Sequence, residues 1–333
     1  MYLFVLKIFL YSLVMRIVLL LVFLIFSFPI TTLSWEKVPV PDYVNKKTKS
    51  PWNFYEDFED QKVGKVNLRK FDINDKGAGK KPFKIKEDKS GNKFLEITVK
   101  HGWNNDSYKR AGKETERSEF EVKRRRAINK EIWIGFKMKL PRDFIHIDTR
   151  VLFFQFKNNF DPMSASPLLG IRFYEKGNSL HIGGATGGLS KKDSSGDEYL
   201  KHSYRIVYQK KNNIWYAHRE KRLNQKTKLF NYKLSSISNF KSNELEKWDN
   251  YKIGIFNTRN ENGFVKVFYN DKLILDYNGV TFNWKGKYEG SHIRIGLYRN
   301  SGKRIGIEYP PQVIHFDDFI VVSDKQTLDK YLN

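Results

Sequence analysis

The stretch His292-Ile-Arg-Ile-Gly-Leu-Tyr-Arg-Asn300 alternates with a period of two, which is the period of a strand and not of a helix. Ile293, Ile295 and Leu297 share one face, and His292, Arg294, Gly296, Tyr298 and Asn300 share the other. Such a strand has a core on one side only. A glycine in the middle of the polar face lets a bulky ligand approach the backbone, and Arg294 and Tyr298 flank that gap. This pattern fits the floor of a cleft. It also fits a solvated outer strand carrying an incidental Arg and Tyr, so the neighbouring strands decide.

Working outward from it, short alternating runs separated by Gly, Asn, Asp and Lys turns fill the chain from Trp52 on, with no long helical periodicity and no internal repeat. Strands are expected at 53–59, 93–100, 116–123, 131–139, 150–157, 168–175, 179–183, 203–209, 213–219, 249–257, 263–270, 272–277, 291–298 and 313–322. Phe264-Val-Lys-Val-Phe-Tyr-Asn-Asp-Lys-Leu-Ile-Leu-Asp276 reads as a hairpin turning at Asn270-Asp271. Residues 221–247, rich in lysine and serine, read as a loop with a short helix. Many strands without interleaved helices predict an all-β fold, a jelly-roll sandwich of two antiparallel sheets. Tyr55-Glu-Asp-Phe-Glu59 and Ile314-His-Phe-Asp-Asp-Phe-Ile-Val-Val322 look alike, and their pairing would close a single domain over 50–333.

Two further strands give the polar face a chemistry. In Glu116-Arg-Ser-Glu-Phe-Glu-Val122, Arg117, Glu119 and Glu121 share a face, where Glu119 can fix the direction of the Arg117 guanidinium. In Val151-Leu-Phe-Phe-Gln-Phe-Lys157, strict alternation puts Val151, Phe153, Gln155 and Lys157 on one face and Leu152, Phe154 and Phe156 on the other. If the polar faces coincide, two guanidiniums, an amide, an amine and a phenol meet in one groove. That set suits removal of a proton alpha to a carboxylate: Arg and amide donors stabilise the enolate-like charge, a base takes the proton, and Tyr298 protonates the departing oxygen or acts as the base. Asn158, Arg172 and Asn300 join Arg294 and Glu119 as candidate substrate contacts.

With these residues the chain resembles the jelly-roll polysaccharide lyases, the concanavalin A-like set that contains alginate lyases, glucuronan lyases and heparin lyase. Arg117-Ser-Glu-Phe120 is similar to that group's Arg-Ser-Glu-Leu strand. Gln155-Phe-Lys157 sits where its Gln-x-His strand would be, and Arg294-Ile-Gly-Leu-Tyr298 is similar to its Lys-x-Gly-x-Tyr strand. The three occur in the group's order. The resemblance implies β-elimination on a uronic-acid polysaccharide, with Arg117, Gln155 and Tyr298 catalytic. Two positions depart from it: Lys157 stands in place of a histidine and Arg294 in place of a lysine. Lys157 can serve as base only with a lowered pKa, which nearby arginines favour. His101, in a turn with Gly102, is the first substitute for the missing histidine, ahead of His181 and His202. The departures also leave open a lectin-like module that binds anionic glycans without cutting them.

Composition agrees with an acidic polymer as partner. The 333 residues carry 60 Lys and Arg against 37 Asp and Glu, a formal charge of +23. There is no cysteine, which excludes disulfides, thiolate nucleophiles and Cys-ligated zinc. No metal or other cofactor is expected. A structural calcium ion is a weak alternative at Asp193-Ser-Ser-Gly-Asp-Glu198, whose spacing departs from that of a calcium loop. Gly183-Gly-Ala-Thr-Gly-Gly188 lacks the lysine and helix of a phosphate loop and reads as a cleft-edge loop. Arg16 followed by the apolar run 17–30 reads as a signal peptide, residues 1–34, with cleavage near Thr32-Leu-Ser34 and Met15 as an alternative start. An uncleaved anchor is the rival, since residues 1–33 are apolar enough to span a bilayer. Residues 35–49 read as a linker. The expectation is thus a secreted or periplasmic monomer that meets a membrane only through its N-terminus and binds no nucleic acid. A sandwich glycoside hydrolase is disfavoured, because no strand offers the Glu-x-Asp-x-x-Glu pattern and its paired carboxylates.

Overall fold

A computed structural model describes residues 50–67, 71–74, 81–103, 115–161, 167–174, 176, 179–186, 203–209, 214–217, 244–260, 262–279, 281–282, 287–302 and 306–332. The chain divides into two units, Met1–Val44 and Asn45–Asn333, and all described residues belong to the second. The expected signal peptide and linker, and nearly all of the expected 221–247 loop, lie outside the described residues.

Sixteen strands and one helix are described, in this order. The first group is β1 (Phe54–Glu56), β2 (Phe71–Asn74), β3 (Phe83–Glu87), β4 (Lys93–Val99), β5 (Thr115–Arg125) and β6 (Lys130–Lys139). Then come β7 (Val151–Asp161), β8 (Leu169–Tyr174), β9 (Ser179–Ala185), β10 (Ser203–Gln209) and β11 (Ile214–Ala217). The last are β12 (Trp248–Asn257), β13 (Phe264–Tyr269), β14 (Lys272–Asn278), β15 (Lys287–Asn300), β16 (Gln312–Val322) and α1 (Lys325–Leu332). They form two antiparallel eight-stranded sheets. Sheet 1 runs β14-β13-β12-β6-β16-β4-β3, with β1 also on β16; sheet 2 runs β11-β10-β9-β8-β7-β15-β5-β2. The all-β two-sheet expectation holds. β1 pairs with β16, Tyr55 opposite Ile320, so the two similar end segments do meet. Asn270 and Asp271 both take positive φ at the β13–β14 turn, the conformation a tight hairpin requires.

The core lies between the sheets. Phe136 of β6 stacks on Phe154 of β7 at 5.3 Å and on Tyr251 of β12 at 5.1 Å. Each such fully buried ring contributes roughly 1.5–3 kcal/mol. Sheet 1 is also buried on its outer face. There Leu328 and Leu332 of α1 cover Gly135, where a Cβ would lie 2.1 Å from Leu332, and Asp324 caps the helix through the Thr327 N–H. This helix and the short strands β2 and β3 fall outside the expected elements.

One strand departs from strict alternation. The register of β7 shifts against both of its neighbours between Leu152 and Phe154. As a result Phe153 and Phe154 both enter the core, with Val151 and Phe156, and Leu152 joins the outer face with Gln155 and Lys157. The expected faces of Val151, Leu152 and Phe153 are therefore all reversed relative to Gln155. Gly183-Gly184-Ala185 is also not a loop but part of β9. A Cβ on Gly184 would sit 2.0 Å from the Leu168 carbonyl, so the strand needs a glycine there.

Candidate active site

The centre of sheet 2 is the run β7-β15-β5, and it brings together the three strands singled out in the sequence. Phe120 and Val122 of β5, and Ile293, Ile295 and Leu297 of β15, face the core. The alternate residues therefore line the outer face. Register aligns them: Tyr298 lies opposite Arg117, Gly296 opposite Glu119, and Arg294 opposite both Glu121 and Gln155. His292 lies opposite Lys157.

The side chains form an ordered network. Glu119, with no exposed surface, accepts a bond from Gln155 Nε2 at 2.7 Å and pairs with Arg117 Nε at 3.2 Å. Glu121 Oε2 takes both Arg294 Nε at 2.8 Å and Arg294 Nη2 at 2.7 Å. Glu121 thus fixes the Arg294 guanidinium through a charge-assisted bond, while Glu119 holds that of Arg117 as a buried ion pair. The Tyr298 ring is half-buried, with the Arg117 guanidinium 3.9 Å from its centroid and that of Arg150 at 4.5 Å. Arg150 also donates to Asn300 Oδ1 at 3.3 Å, which ties the segment before β7 to the end of β15.

Lys157 is half-buried in this company. Burial first, then the charges of Arg294 and Arg117, lower its pKa to about 8 against the opposing pull of Glu119 and Glu121. About a tenth of the amine is therefore uncharged at pH 7, and half of it at about pH 8. His292 is fully buried; burial and the charges of Arg294, Lys157, Arg124 and Arg117 hold its pKa well below the usual histidine value, so it is neutral.

Gly296 has a different role from the one its position suggested. Its φ is +146°, and a Cβ there would lie 2.2 Å from the Ser118 carbonyl and 2.7 Å from the Glu119 Cα. The close approach is that of the neighbouring strand, not of a ligand. It lets β5 and β15 come together with Glu119 between Arg117 and Gln155.

Other candidates are placed apart. Asn158 turns inward, where it exchanges amide bonds with Asn257 of sheet 1 and accepts from Ser291, so it clasps the two sheets and does not reach the outer face. His101 Nδ1 lies 3.2 Å from Glu116 Oε1, and Glu116 also binds Arg299 at 2.6 Å between the sheets, which directs His101 to the opposite side of β5 from Arg117. Arg172 is on the outer face but folds over Gly170 to the Gly183 carbonyl at 3.0 Å. His181 lies opposite Arg172 with its ring 4.4 Å from that of Tyr174. His202 and the 193–198 segment lie outside the described residues. Two residues join the site from outside the sequence candidates, Arg150 and His292. In sequence Arg150 is only the first residue of an expected strand, and the pairing of His292 with Lys157 depends on a register that alternation does not disclose.

Residues 48–319 match the family described as polysaccharide lyase. The chain belongs to the polysaccharide lyase family. No curated protein matches it. Among solved structures, the lyase is similar to an endo-β-1,4-glucuronan lyase from the fungus Trichoderma reesei, at 15% identity and a TM-score of 0.48, covering 81% of this chain and 95% of that one. It is also similar to an alginate lyase from Pseudomonas aeruginosa, at 11% identity and a TM-score of 0.44, covering 78% and 100%. A third is an alginate lyase from a Chlorella virus, at 12% identity and a TM-score of 0.39, covering 73% and 89%.

Proposed function

We propose that this lyase is exported and cuts an acidic, uronate-containing polysaccharide by β-elimination on the outer face of sheet 2. The observation that carries the reading is the Lys157 amine, set among guanidiniums on the same face as Gln155 and Tyr298. Arg117 and Arg294, already oriented by Glu119 and Glu121, bind the sugar carboxylate together with the second N–H of Gln155. That removes the charge which otherwise makes the C5 proton too weakly acidic. The neutral Lys157 amine takes the C5 proton. The C–H electron pair becomes the C4–C5 double bond, the C4–O bond breaks, and Tyr298 gives its proton to the leaving oxygen. Proton transfer from the Lys157 ammonium to the Tyr298 phenolate, directly or through solvent, resets the site. No water is consumed.

Five cationic side chains, Arg117, Arg150, Lys157, Arg172 and Arg294, share this face with the two carboxylates Glu119 and Glu121, which favours an anionic substrate. Export rests on the apolar run that follows Arg16. The test is a panel of glucuronan, alginate, heparin and hyaluronan followed at the ultraviolet absorbance of the unsaturated product. One polymer should give absorbance with the native protein and none with Tyr298→Phe, which should still bind. Silence on every polymer despite measurable binding would return the lectin-like reading.

A further inference from the structure

His292 holds the least expected polar atom of the site. Its ring has no exposed surface, its Nδ1 is 2.6 Å from the Asn159 Nδ2, and its Nε2 is buried with no hydrogen-bond partner among the described residues. With the amide donating to Nδ1, the proton of the neutral ring is on Nε2. A buried donor without an acceptor is costly, and native structures rarely keep one without a use. The Glu121 carboxylate lies 4.0 Å away, on the Nδ1 side. The cross-strand neighbour is Lys157, and side chains so paired have Cβ atoms about 4.5–5.5 Å apart.

We propose that His292 is a positioning residue for Lys157, its Nε2–H serving as a donor that only the free-base amine of Lys157 can accept. An ammonium has three N–H groups and no lone pair, so it cannot take this bond; a neutral amine can. The bond therefore favours the uncharged form and adds to what burial and the guanidiniums already do. The groups that face Lys157 are His292 and Arg294 from β15, and Arg117, Glu119 and Glu121 from β5. On β8 the nearest cross-strand positions are Leu169 and Gly170, with Arg172 beyond them. On its own strand Lys157 is flanked by the amides of Gln155, bonded to Glu119, and Asn159, bonded to His292 Nδ1; among the groups across from it on β15 and β5, His292 is the one uncharged donor. In turnover the amine swings its lone pair from the imidazole to the C5 proton, and the two glutamates then stabilise the ammonium. The imidazole holds the base ready between cycles and is not itself the base.

This inference rests on Lys157 being the base, and the experiment separates the two claims. Nitrogen-15 NMR of the substrate-free protein reads both groups directly, with Lys157 assigned by its loss in Lys157→Met. In the native protein His292 should show the Nε2–H tautomer and no titration in the usual histidine range near 6.5. The opposite tautomer, or a titration near 6.5, would overturn the proposal without any variant. His292→Phe removes the donor and should raise the Lys157 midpoint by about 0.5–1 pH unit, the size of one modest hydrogen bond, while His292→Gln, which keeps an N–H, should hold it. An unchanged midpoint in a folded His292→Phe also overturns the proposal. If the amine midpoint moves and the acidic limb of kcat/KM does not follow, the pairing is supported and Lys157 as base is lost.

Discussion

Lys252 and Lys157 are two amines withdrawn from solvent on the outward faces of the two sheets, and their surroundings are opposite. Lys252 of β12 is 2% exposed and meets Asp271 at 2.7 Å and Asp329 of α1 at 2.9 Å. Burial alone would lower its pKa, but the bonds and charges of the two aspartates outweigh it and hold the group above its ordinary value. Lys157 of β7 has Arg294 and Arg117 beside it, and the two nearby carboxylates are already taken up by those arginines. Its pKa falls. A buried amine given its own carboxylates is a structural charge, fixed at every physiological pH. A half-buried amine left among guanidiniums gives up its proton readily, which is a cost in a scaffold and a requirement in a base.

The contrast is broken or sharpened first at the two lysines. Lys157→Met should lower kcat by roughly 10²–10⁴-fold, the range for loss of a positioned general base, while the melting temperature at pH 6 does not fall. The sign follows from linkage: a folded-state pKa below the unfolded value means that the charged amine weighs against folding at low pH, and the cost is relieved as pH rises through about 8. A melting temperature that drops with activity would make Lys157 a second structural lysine. The same pKa sets a pH profile. Turnover needs the uncharged amine, so kcat/KM should climb as pH rises through about 8; an activity already at its plateau by pH 6 would remove Lys157 from the chemistry. Lys252→Met should do the reverse, costing about 1–2 kcal/mol in denaturant unfolding with activity per folded molecule unchanged. The cost stays below that of a sealed pair because Asp271 and Asp329 both reach solvent.

The sequence made much of this arrangement legible, for a physical reason. Period-two alternation is dictated by strand geometry, so the outer faces of β5 and β15 could be read residue by residue, including Arg117, Glu119, Arg294 and Tyr298. Alternation fails where two strands disagree in residue count. The irregularity in β7 reverses the faces of Val151, Leu152 and Phe153, and nothing in Val151-Leu-Phe-Phe-Gln155 marks it, since every residue there is apolar until Gln155. Register is likewise a property of pairs of strands. His292 stood on the correct face, but only the pairing of β15 with β7 sets it beside Lys157. Tertiary partners, which a single strand does not disclose, draw Asn158 and His101 away from the outer face: Asn257 and Ser291 for one, Glu116 for the other. Phe83-Lys-Ile-Lys-Glu87 does alternate, so β3 is legible in the sequence, although it is not among the expected strands. The helix α1, eight residues long, is too short for periodicity to declare it and depends on Ile320 and Gly135 for its place.

A third buried ionisable group carries the comparison to the opposite charge, with a smaller effect. Asp317 of β16 has its pKa raised to about 7, by burial above all and then by Asp318, against the bond that Asn92 donates at 3.0 Å. The neighbouring Lys137 spends its amine on Asp318 at 2.6 Å, so Asp317, like Lys157, has no dedicated counter-ion among the described residues. Its folded pKa lies above the unfolded value near 3.9. The folded state therefore binds the extra proton between about pH 4 and 7, and native stability declines as pH rises through that window. Asp317→Asn removes the titration and should flatten this decline, leaving the variant about 1 kcal/mol more stable than the native protein at pH 8 and no more stable at pH 5. The gain is held to that order because an amide has one acceptor oxygen where the carboxylate has two, and both now accept bonds, from Asn92 and from the Asp318 N–H. Parallel stability curves for the two proteins between pH 5 and 8 would mean that Asp317 is ionised throughout, and that lacking its own counter-ion is not enough to shift a buried group in this scaffold.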